Sequence, residues 1–263
     1  MMRKHSLARL AGLVVTAGFV FLWSRDAQAA EKWEWDITPY LWASSVHADL
    51  SLDGDPVLGA DIKFKDLVDK VDLAGMVHFE GRRGKFGFFT DAIFISLTDE
   101  QTHSANPPVP GGTETDADVD LGMYEAGGFY RLKNAVTGLD ILYGIRVIDL
   151  SEDVTVTVPP PISATIDGSA SDTYTDGIIG VRYSAPMGKR WYYAIRGDIG
   201  AGGTELAYNG VVSFGFLCDA KGKYNLRFGY RYFTTEVDTT ENGLEVENDL
   251  TLYGPYVGFG FVF

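Results

Sequence analysis

Long runs of alternating side chains constrain the fold of this chain more than any other feature of its sequence. Between Tyr224 and Tyr232 the first, third and later odd positions are large apolar residues, and the residues between them are Asn, Gly or Arg. Similar runs of about ten to twenty residues recur from Trp33 onward, and helical periodicity is almost absent. The pattern predicts an all-β protein whose strands have one apolar and one polar face.

The length of these runs separates two kinds of all-β protein. Strands of a soluble sandwich are usually about 5–6 residues long, and the runs here are about twice that length. Transmembrane β-strands need about 9–11 residues, with apolar side chains outward and polar side chains inward. The polar positions carry mainly Gly, Ala, Arg and Asp, which suits a crowded interior. We therefore predict a single closed antiparallel transmembrane β-barrel.

Ten strands account for the sequence after the first thirty residues. They are predicted at 33–52, 71–82, 86–99, 117–132, 138–157, 162–185, 190–203, 205–219, 222–238 and 248–263. The gaps near 53–70, 100–116, 152–170 and 239–247 are mostly long, while 83–85, 133–137, 186–189 and 220–221 are short. This alternation is typical of outer-membrane barrels. The tight connection at 201–204 does not fit it, and counts of eight and twelve strands stay open.

The first thirty residues have the character of an export signal. Arg3, Lys4 and Arg9 precede an apolar stretch from Leu10 to Trp23, and 27–29 read Ala-Gln-Ala, an A-x-A cleavage site. The apolar stretch is shorter than the roughly 18 residues that a spanning helix needs. We predict a cleaved signal peptide at 1–29 and one barrel domain at 30–263.

Charge and cysteine content exclude several classes of protein. The formal net charge is -14, which argues against nucleic acid as a partner because phosphate binding needs a basic surface. A single cysteine, Cys218, excludes a disulfide framework and a multi-cysteine metal site. We expect no cofactor and no metal, and we expect Cys218 to be a buried thiol on the lipid side.

The two signs of charge separate between the two ends of the predicted barrel. The short turns carry Arg82, Arg83, Lys85, Arg131, Lys133, Lys189, Arg190, Lys221 and Lys223. The long loops carry Asp53, Asp55, Asp99, Glu100, Glu114, Asp116, Asp118, Glu241, Glu245 and Glu247. With an even strand count, both termini and the short turns face the periplasm, and the acidic loops face outside. Outer-membrane lipid and lipopolysaccharide are then the expected surroundings.

The last strand carries a second localisation signal. Aromatic and apolar residues share one face, namely Tyr253, Val257, Phe259, Phe261 and Phe263. A final strand of this kind that ends in Phe is typical of the sorting signal that the barrel-assembly machinery reads by strand addition.

Several short motifs resemble those of one protein family. They are the stretch from Trp35 to Trp42, the stretch Phe79 to Gly84 followed by Asp91, the stretch Arg196 to Gly200, Gly229 to Tyr232, and Gly254-Pro255. Together they resemble a family of uncharacterised proteobacterial outer-membrane β-barrel proteins, similar in design to small porin-like and OmpA-like barrels. The resemblance covers roughly 33–263 except the loops near 100–116 and 152–170. It implies a fold and an outer-membrane location, and no reaction.

Parity within the strands places ten charged residues on the same side as the small residues. They are Glu80, Asp91, Glu125, Arg146, Asp176, Arg182, Arg196, Asp198, Arg227 and Arg231. Unpaired charges are costly inside a narrow barrel, so these side chains should pair into a network. The network is either a plug that fills the lumen or a narrow polar constriction. Sequence does not separate the two, because small barrels are just filled by side chains.

Three functions stay open at this point. The first is a non-enzymatic outer-membrane barrel, either a narrow passive pore for small solutes or a structural or surface protein. The second is an outer-membrane enzyme acting on lipid or peptide through His47 or His103, for which no G-x-S-x-G motif is present. The third is a soluble periplasmic β-protein that binds a ligand. A short amphipathic helix is also predicted from Phe64 to Val71 as a lid on the first loop.

Overall fold

The computed structural model describes residues 32–52, 55–103, 112–132, 138–160, 163–241 and 244–263. The predicted signal peptide lies outside the described residues. The strands are β1 Glu34–Trp42, β2 Ser45–Leu52, β3 Asp55–Ile62, β4 Val71–Arg83, β5 Phe86–His103, β6 Thr113–Arg131, β7 Gly138–Val158, β8 Ala164–Pro186, β9 Trp191–Gly202, β10 Leu206–Leu217, β11 Tyr224–Glu241 and β12 Leu244–Val262. A helical segment, α1 Phe64–Leu67 with a 3₁₀ turn Val68–Lys70, joins β3 to β4. Within these described ranges no helix is long and apolar enough to cross a membrane.

The strands form one antiparallel sheet that closes on itself. From β4 to β12 each strand pairs with the next along the chain, and β1 pairs with both β4 and β12. At this seam the backbone N–H of Trp35 donates to the carbonyl of Phe263 at 2.9 Å, and the reverse bond measures 3.0 Å. Closure removes the free edges that an open sheet would expose.

Two pairs of strands share positions in the ring, which therefore has ten positions. β1 and β2 pair one after the other with β12. β3 pairs with β2 in the same way that β4 pairs with β1. The prediction of a closed antiparallel ten-strand barrel is confirmed. One position in the ring is shared by β1 and β2, and the next position is shared by β4 and β3.

The long loops predicted from the sequence are wrong in extent, because most of their residues are strand. Residues 53–70 include β3 and the predicted helical segment. The residues left between strands are 104–112 for β5 and β6, 159–163 for β7 and β8, and 242–243 for β11 and β12. Side chains bond across the extended strands, as when Thr155 Oγ1 donates to Asp167 Oδ1 at 3.0 Å. Alternation among Ser, Thr and Asp also continues a strand when one face of that strand meets water.

The extensions form two groups of strands at the end of the barrel away from the short turns. β9 stops at Gly202 and β10 starts at Leu206, so their neighbours continue past them. We call the outer parts of β5–β8 arm A, residues 98–103, 113–120, 151–158 and 164–174. We call the outer parts of β2, β3, β11 and β12 arm B, residues 45–52, 55–62, 237–241 and 244–251. The short connection at 203–205 separates β8 of arm A from β11 of arm B.

The outer face of the barrel is apolar over a band of about nine residues per strand and polar beyond it. On β7 the outward residues between Leu139 and Val147 are all apolar, and the next is Asp149. Large apolar side chains in the band are exposed, including Ile179 at 59 % and Tyr143 at 48 %. At the short-turn end aromatic rings contact one another, as in the Trp33–Trp35 stack and the Trp191–Phe216 pair.

The turn between β10 and β11 corrects one expectation. Cys218 is exposed at the short-turn end, because the chain leaves the apolar band at Leu217 and turns. Asp219 fixes this turn by accepting hydrogen bonds from the backbone N–H of Tyr224 at 3.0 Å and of Lys221 at 3.1 Å. These bonds hold the pKa of the Asp219 carboxyl below its usual value.

Candidate functional site

The inward side chains change from charged to apolar in a regular order along the barrel axis. On β11, Arg231 is followed at the next inward position by Phe233, and on β5 Asp91 is followed by Ile93. β6 and β7 show the same order toward the arms, with Glu125 before Met123 and Arg146 before Ile148. In these four strands the apolar residue lies on the side of the arms. A second buried apolar group, Phe89, Phe129, Leu142 and Ile178, lies among the charged side chains, where Arg196 stacks on Phe89 and Arg182 on Phe129.

Six charged side chains meet in the middle of the barrel, and we call them the central cluster. They are Asp91, Glu125, Arg146, Arg196, Asp198 and Arg231. Glu125 accepts hydrogen bonds from Arg146 Nη2 at 2.8 Å, and from Arg196 Nη2 at 2.8 Å. Arg231 Nη2 also donates to Glu125, at 3.3 Å. Because β6 and β11 are not neighbours in the sheet, the Arg231–Glu125 bond crosses the lumen.

The other two carboxylates of the central cluster have equally full sets of partners. Asp198 accepts bonds from Arg146, from Arg196 Nε at 2.7 Å and from Asn209 Nδ2 at 2.8 Å. Asp91 accepts bonds from the Tyr40 hydroxyl at 2.8 Å and from Arg231 Nη1 at 3.3 Å, and it lies 3.1 Å from His78 Nδ1. Three carboxylates thus face three guanidinium groups, with the His78 ring beside Asp91.

A second set of charges, the rim cluster, lies nearer the short turns. It consists of Asp36, Glu80, Arg131, Asp140, Arg182 and Arg227. Arg182 Nη1 donates to Glu80 at 2.5 Å and Arg182 Nη2 donates to Asp140 at 2.8 Å. Arg131 Nε donates to the other oxygen of Asp140 at 2.7 Å, and Arg227 pairs with Asp36. This cluster also contains three groups of each sign.

The structure brings nine of the ten sequence-predicted charges into these two clusters. Asp176 is the exception. It accepts hydrogen bonds from the backbone N–H groups of Gly203 at 3.0 Å and Thr204 at 2.9 Å, and from the Thr204 hydroxyl at 2.8 Å. Its carboxylate thereby fixes the tight connection between β9 and β10 rather than neutralising an arginine.

Sequence reasoning missed four members of this interior. Asp36, Arg131, Asp140 and His78 have the same strand parity as the predicted residues, so a signal was present. Asp140, for example, lies three inward positions from Arg146 on β7 and is fully buried. The omission matters because Asp140 joins Arg131 to Arg182 and completes the rim cluster.

An apolar layer lies on the arm side of the central cluster. Eight buried side chains from eight strands form it, namely Trp42, Met76, Ile93, Met123, Ile148, Ala207, Phe233 and Leu252. Met76 is the most exposed of them at 7 %, and Phe233 is fully buried. The guanidinium of Arg146 lies 5.0 Å from the centre of the Phe233 ring, and that of Arg231 lies 5.2 Å from the Trp42 ring. The two layers are packed against each other by these cation–π contacts.

A cavity of about 860 Å³ occupies the short-turn end of the interior. Its wall includes Glu34 and Lys221 at the mouth, and it reaches Arg231 of the central cluster. Side chains of the rim cluster line it between those limits. The cavity is thus a polar vestibule that ends at the central cluster.

The two candidate catalytic histidines lie on the arms and not in this interior. His47 Nε2 is 3.0 Å from Asp49 Oδ2, and both side chains are about half exposed on β2. His103 ends β5, and its side chain lies outside the described residues. In the described parts of the chain no group of three His, Cys, Asp or Glu side chains is arranged to hold a metal ion.

Comparison with known proteins gives distant structural matches only. No protein-family model and no curated protein sequence matches the chain. Among solved structures, the translocator domain of the autotransporter NalP from Neisseria meningitidis has a TM-score of 0.41 at 10 % identity, with 87 % of this chain and 88 % of that chain covered. The toluene transporter TbuX of Ralstonia pickettii has a TM-score of 0.38 at 9 % identity (88 % and 90 % covered). The attachment invasion locus protein Ail of Yersinia pestis has a TM-score of 0.33 at 12 % identity (88 % and 99 % covered).

Proposed function

We propose that this chain is a non-enzymatic outer-membrane protein whose filled, non-conducting barrel anchors two β-arms at the cell surface. The observation that carries the proposal is the apolar layer, in which eight strands each contribute a buried side chain across the lumen. A water path through the barrel would have to pass both this layer and the hydrogen-bonded central cluster beneath it. The short-turn vestibule is then a closed end and not the mouth of a pore.

The outer face supports the membrane location. A band about nine residues tall, with exposed Ile, Val, Tyr and Phe side chains, matches the roughly 25 Å apolar band of transmembrane barrels. In water such a surface would be an aggregation hazard, because soluble proteins rarely expose apolar patches of this size. Outer-membrane lipid and lipopolysaccharide are the partners that fit it.

The distribution of charge supports the orientation. The turns joining β4 to β5, β8 to β9 and β10 to β11 carry Arg83, Lys85, Lys189, Arg190, Lys221 and Lys223. The sequence contains no Lys or Arg between Lys85 and Arg131, between Arg146 and Arg182, or after Arg231. Arm A therefore consists of acidic and neutral residues only. Both described ends of the chain lie with the basic turns, as expected for the periplasmic side.

Single-channel recording in a planar lipid bilayer tests the closed lumen. We expect no conductance steps from the wild-type protein, with insertion verified by heat-modifiable migration on gels. The double variant Arg231→Ala, Phe233→Ala shortens one side chain in each layer and should produce small steps. The matched variant Tyr230→Ala, Tyr232→Ala, which changes only the outer face of the same strand, should stay silent.

Conductance steps from the wild-type protein would reject the filled barrel and support the narrow pore for small solutes. The double variant is informative in that case too, because widening an existing path should raise the step size. Silence of the folded double variant would contradict the assignment of the closure to Arg231 and Phe233.

A further inference from the structure

We infer that the free edge of β8, residues 164–174, binds an extended, positively charged segment of another protein by adding it as a strand to arm A. The partner's chemistry is that of a β-strand with Lys or Arg side chains. The inference rests on the proposed function only in placing this edge outside the cell. The binding itself is a property of the folded chain and can be measured in detergent.

The edge exists because two neighbouring strands differ in length. β8 has 23 residues and β9 has 12, and their pairing begins at Asp176 with Gly202. Between 164 and 174, β8 pairs with β7 on one side, and within the described ranges no strand covers the other side. Asp176 holds the connection at Gly203 and Thr204 and thereby fixes where β9 stops.

The backbone of this edge points its hydrogen-bonding groups at the empty side. The carbonyl of Thr175 accepts a bond from the backbone N–H of Gly203 at 2.8 Å, so odd-numbered residues of β8 face the β9 side. Within the free edge these are Thr165, Asp167, Ser169, Ser171 and Thr173. In an antiparallel ladder such a residue presents both its N–H and its C=O to the next strand. A partner strand of nine residues, about 30 Å long, would satisfy them.

The free edge of β8 is the least protected of the four edges of the arms. The β3 edge contains Pro56 and lies beside a register shift at Leu50 and Ser51. Next to the β5 edge lies the 3₁₀ turn, whose Lys70 Nζ donates to Asp99 Oδ2 at 2.5 Å. The β11 edge beyond Glu236 is only five residues long, 237–241. Proline, irregularity, covering segments and shortness are four of the usual protections of an edge strand, and charged side chains are another.

Residues 164–174 show none of these four protections. They contain no Lys and no Pro, and the β7–β8 register runs without a shift from Gly138–Ser184 to Val158–Ala164. Their side chains are small, with Gly168, Ser169, Ala170 and Ser171 in sequence, and all but the two end residues are exposed. Nothing among the described residues blocks the approach of another backbone.

Charge selects the kind of strand that fits. Asp167 lies on the outer face of the free edge and Asp172 on the inner face, and β7 adds Asp149 and Asp153. No Lys or Arg occurs between Arg146 and Arg182. A second copy of the same edge would bring like charges together, and opposite charges across neighbouring strands are favourable. The edge therefore suits a cationic strand.

Peptide binding to the purified full-length protein in detergent tests the inference. The probe is a fluorescein-labelled nine-residue peptide of alternating threonine and valine with two lysines. Its controls are the same peptide with two glutamates, and the lysine peptide N-methylated at every residue so that neither of its edges can donate a hydrogen bond to β8. By fluorescence anisotropy we expect the lysine peptide to bind at least tenfold more tightly than either control, with affinity falling as salt is added.

Substitutions at Ser169 locate the binding. Ser169→Pro removes an N–H that faces the empty side and keeps the bonds to β7, so it should weaken binding at least tenfold. Ser169→Ala keeps the N–H and should bind like the wild type. Heat-modifiable migration checks that both variants are folded. If Ser169→Pro does not fold, the N-methylated peptide decides alone.

Three results would overturn the inference. Equal affinity for the lysine and glutamate peptides would remove the charge argument. If the folded Ser169→Pro variant binds the lysine peptide as tightly as the wild type, the peptide binds elsewhere on the protein. Dimerisation of the wild type in analytical ultracentrifugation, abolished by Ser169→Pro, would identify a second copy as the occupant of the edge. Because none of these depends on a bilayer, an open pore or an inverted orientation would leave them unchanged.

Discussion

At the scale of single residues, the interior is organised around arginines shared by several carboxylates. Arg231 illustrates this, since it is 6 % exposed, pairs with both Asp91 and Glu125, and donates to Asn209 Oδ1 at 3.0 Å. Removing one partner of a buried pair leaves the other charge without compensation, which costs more than the pair itself contributes.

Arg231→Ala should therefore lower the free energy of unfolding by roughly 3–5 kcal/mol. Lys189→Ala, in an exposed turn, should change it by about 0–1 kcal/mol. Urea unfolding in detergent, followed by tryptophan fluorescence, measures both. Similar losses for the two variants would contradict the assignment of Arg231 to a buried network.

Two glycines provide a residue-scale test of packing in the wall. A Cβ added at Gly254 would lie 1.9 Å from the carbonyl oxygen of Ala43, whereas a Cβ at Gly197 would meet no atom within 4 Å. Gly254→Ala should destabilise the barrel by about 1–3 kcal/mol because a backbone carbonyl has to move. Gly197→Ala should be neutral, or stabilising by up to about 1 kcal/mol, since glycine weakens a strand. Equal effects in urea unfolding would contradict this geometry of the β1–β12 seam.

At the scale of elements, we expect β12 and the residue that follows it, Phe263, to have two roles. The backbone of this segment closes the barrel against β1, while the outward side chains Val257, Phe259, Phe261 and Phe263 are all exposed, Phe263 at 67 %. The first role requires the main chain of Phe263, and the proposed sorting role requires its ring.

Phe263→Ala and deletion of Phe263 separate these roles. Phe263→Ala keeps both seam hydrogen bonds to Trp35, so it should fold in detergent like the wild type but reach the outer membrane in reduced amount. Deletion removes the bonds as well and should impair both steps. Normal outer-membrane levels of Phe263→Ala, measured by fractionation and immunoblot, would remove the sorting role of the terminal ring.

At the scale of the whole molecule, labelling of a single thiol tests the orientation of the barrel in the outer membrane. Cys218 is the only cysteine and is exposed in a turn at the basic end. A membrane-impermeant maleimide should label it only after the outer membrane is permeabilised. In the variant Cys218→Ser, Asp116→Cys the thiol lies on exposed arm A and should be labelled on intact cells. The reverse pattern would invert the proposed topology.

The sequence by itself determined the all-β barrel class and the face of the sheet on which each strand residue lies. These properties are local, because a period of two residues fixes which side chains share a face and the length of an apolar run fixes how much of a strand can face lipid. The period of two thus predicts Arg146, Arg231 and Asp91 on the inner face without identifying their partners.

Only the tertiary structure decided what the inner face does. Closing the ring brings Arg231 of β11 against Asp91 of β5, strands far apart in the sheet, and no local pattern encodes that distance. The apolar layer and the two arms are likewise products of assembly. In the sequence Phe233 is one aromatic residue of an alternating run, and only the folded barrel packs it with side chains from seven other strands. Residues 164–174 are a free edge only because β9 ends opposite Asp176. A period of two gives a side chain its direction, and ring closure determines what that side chain meets.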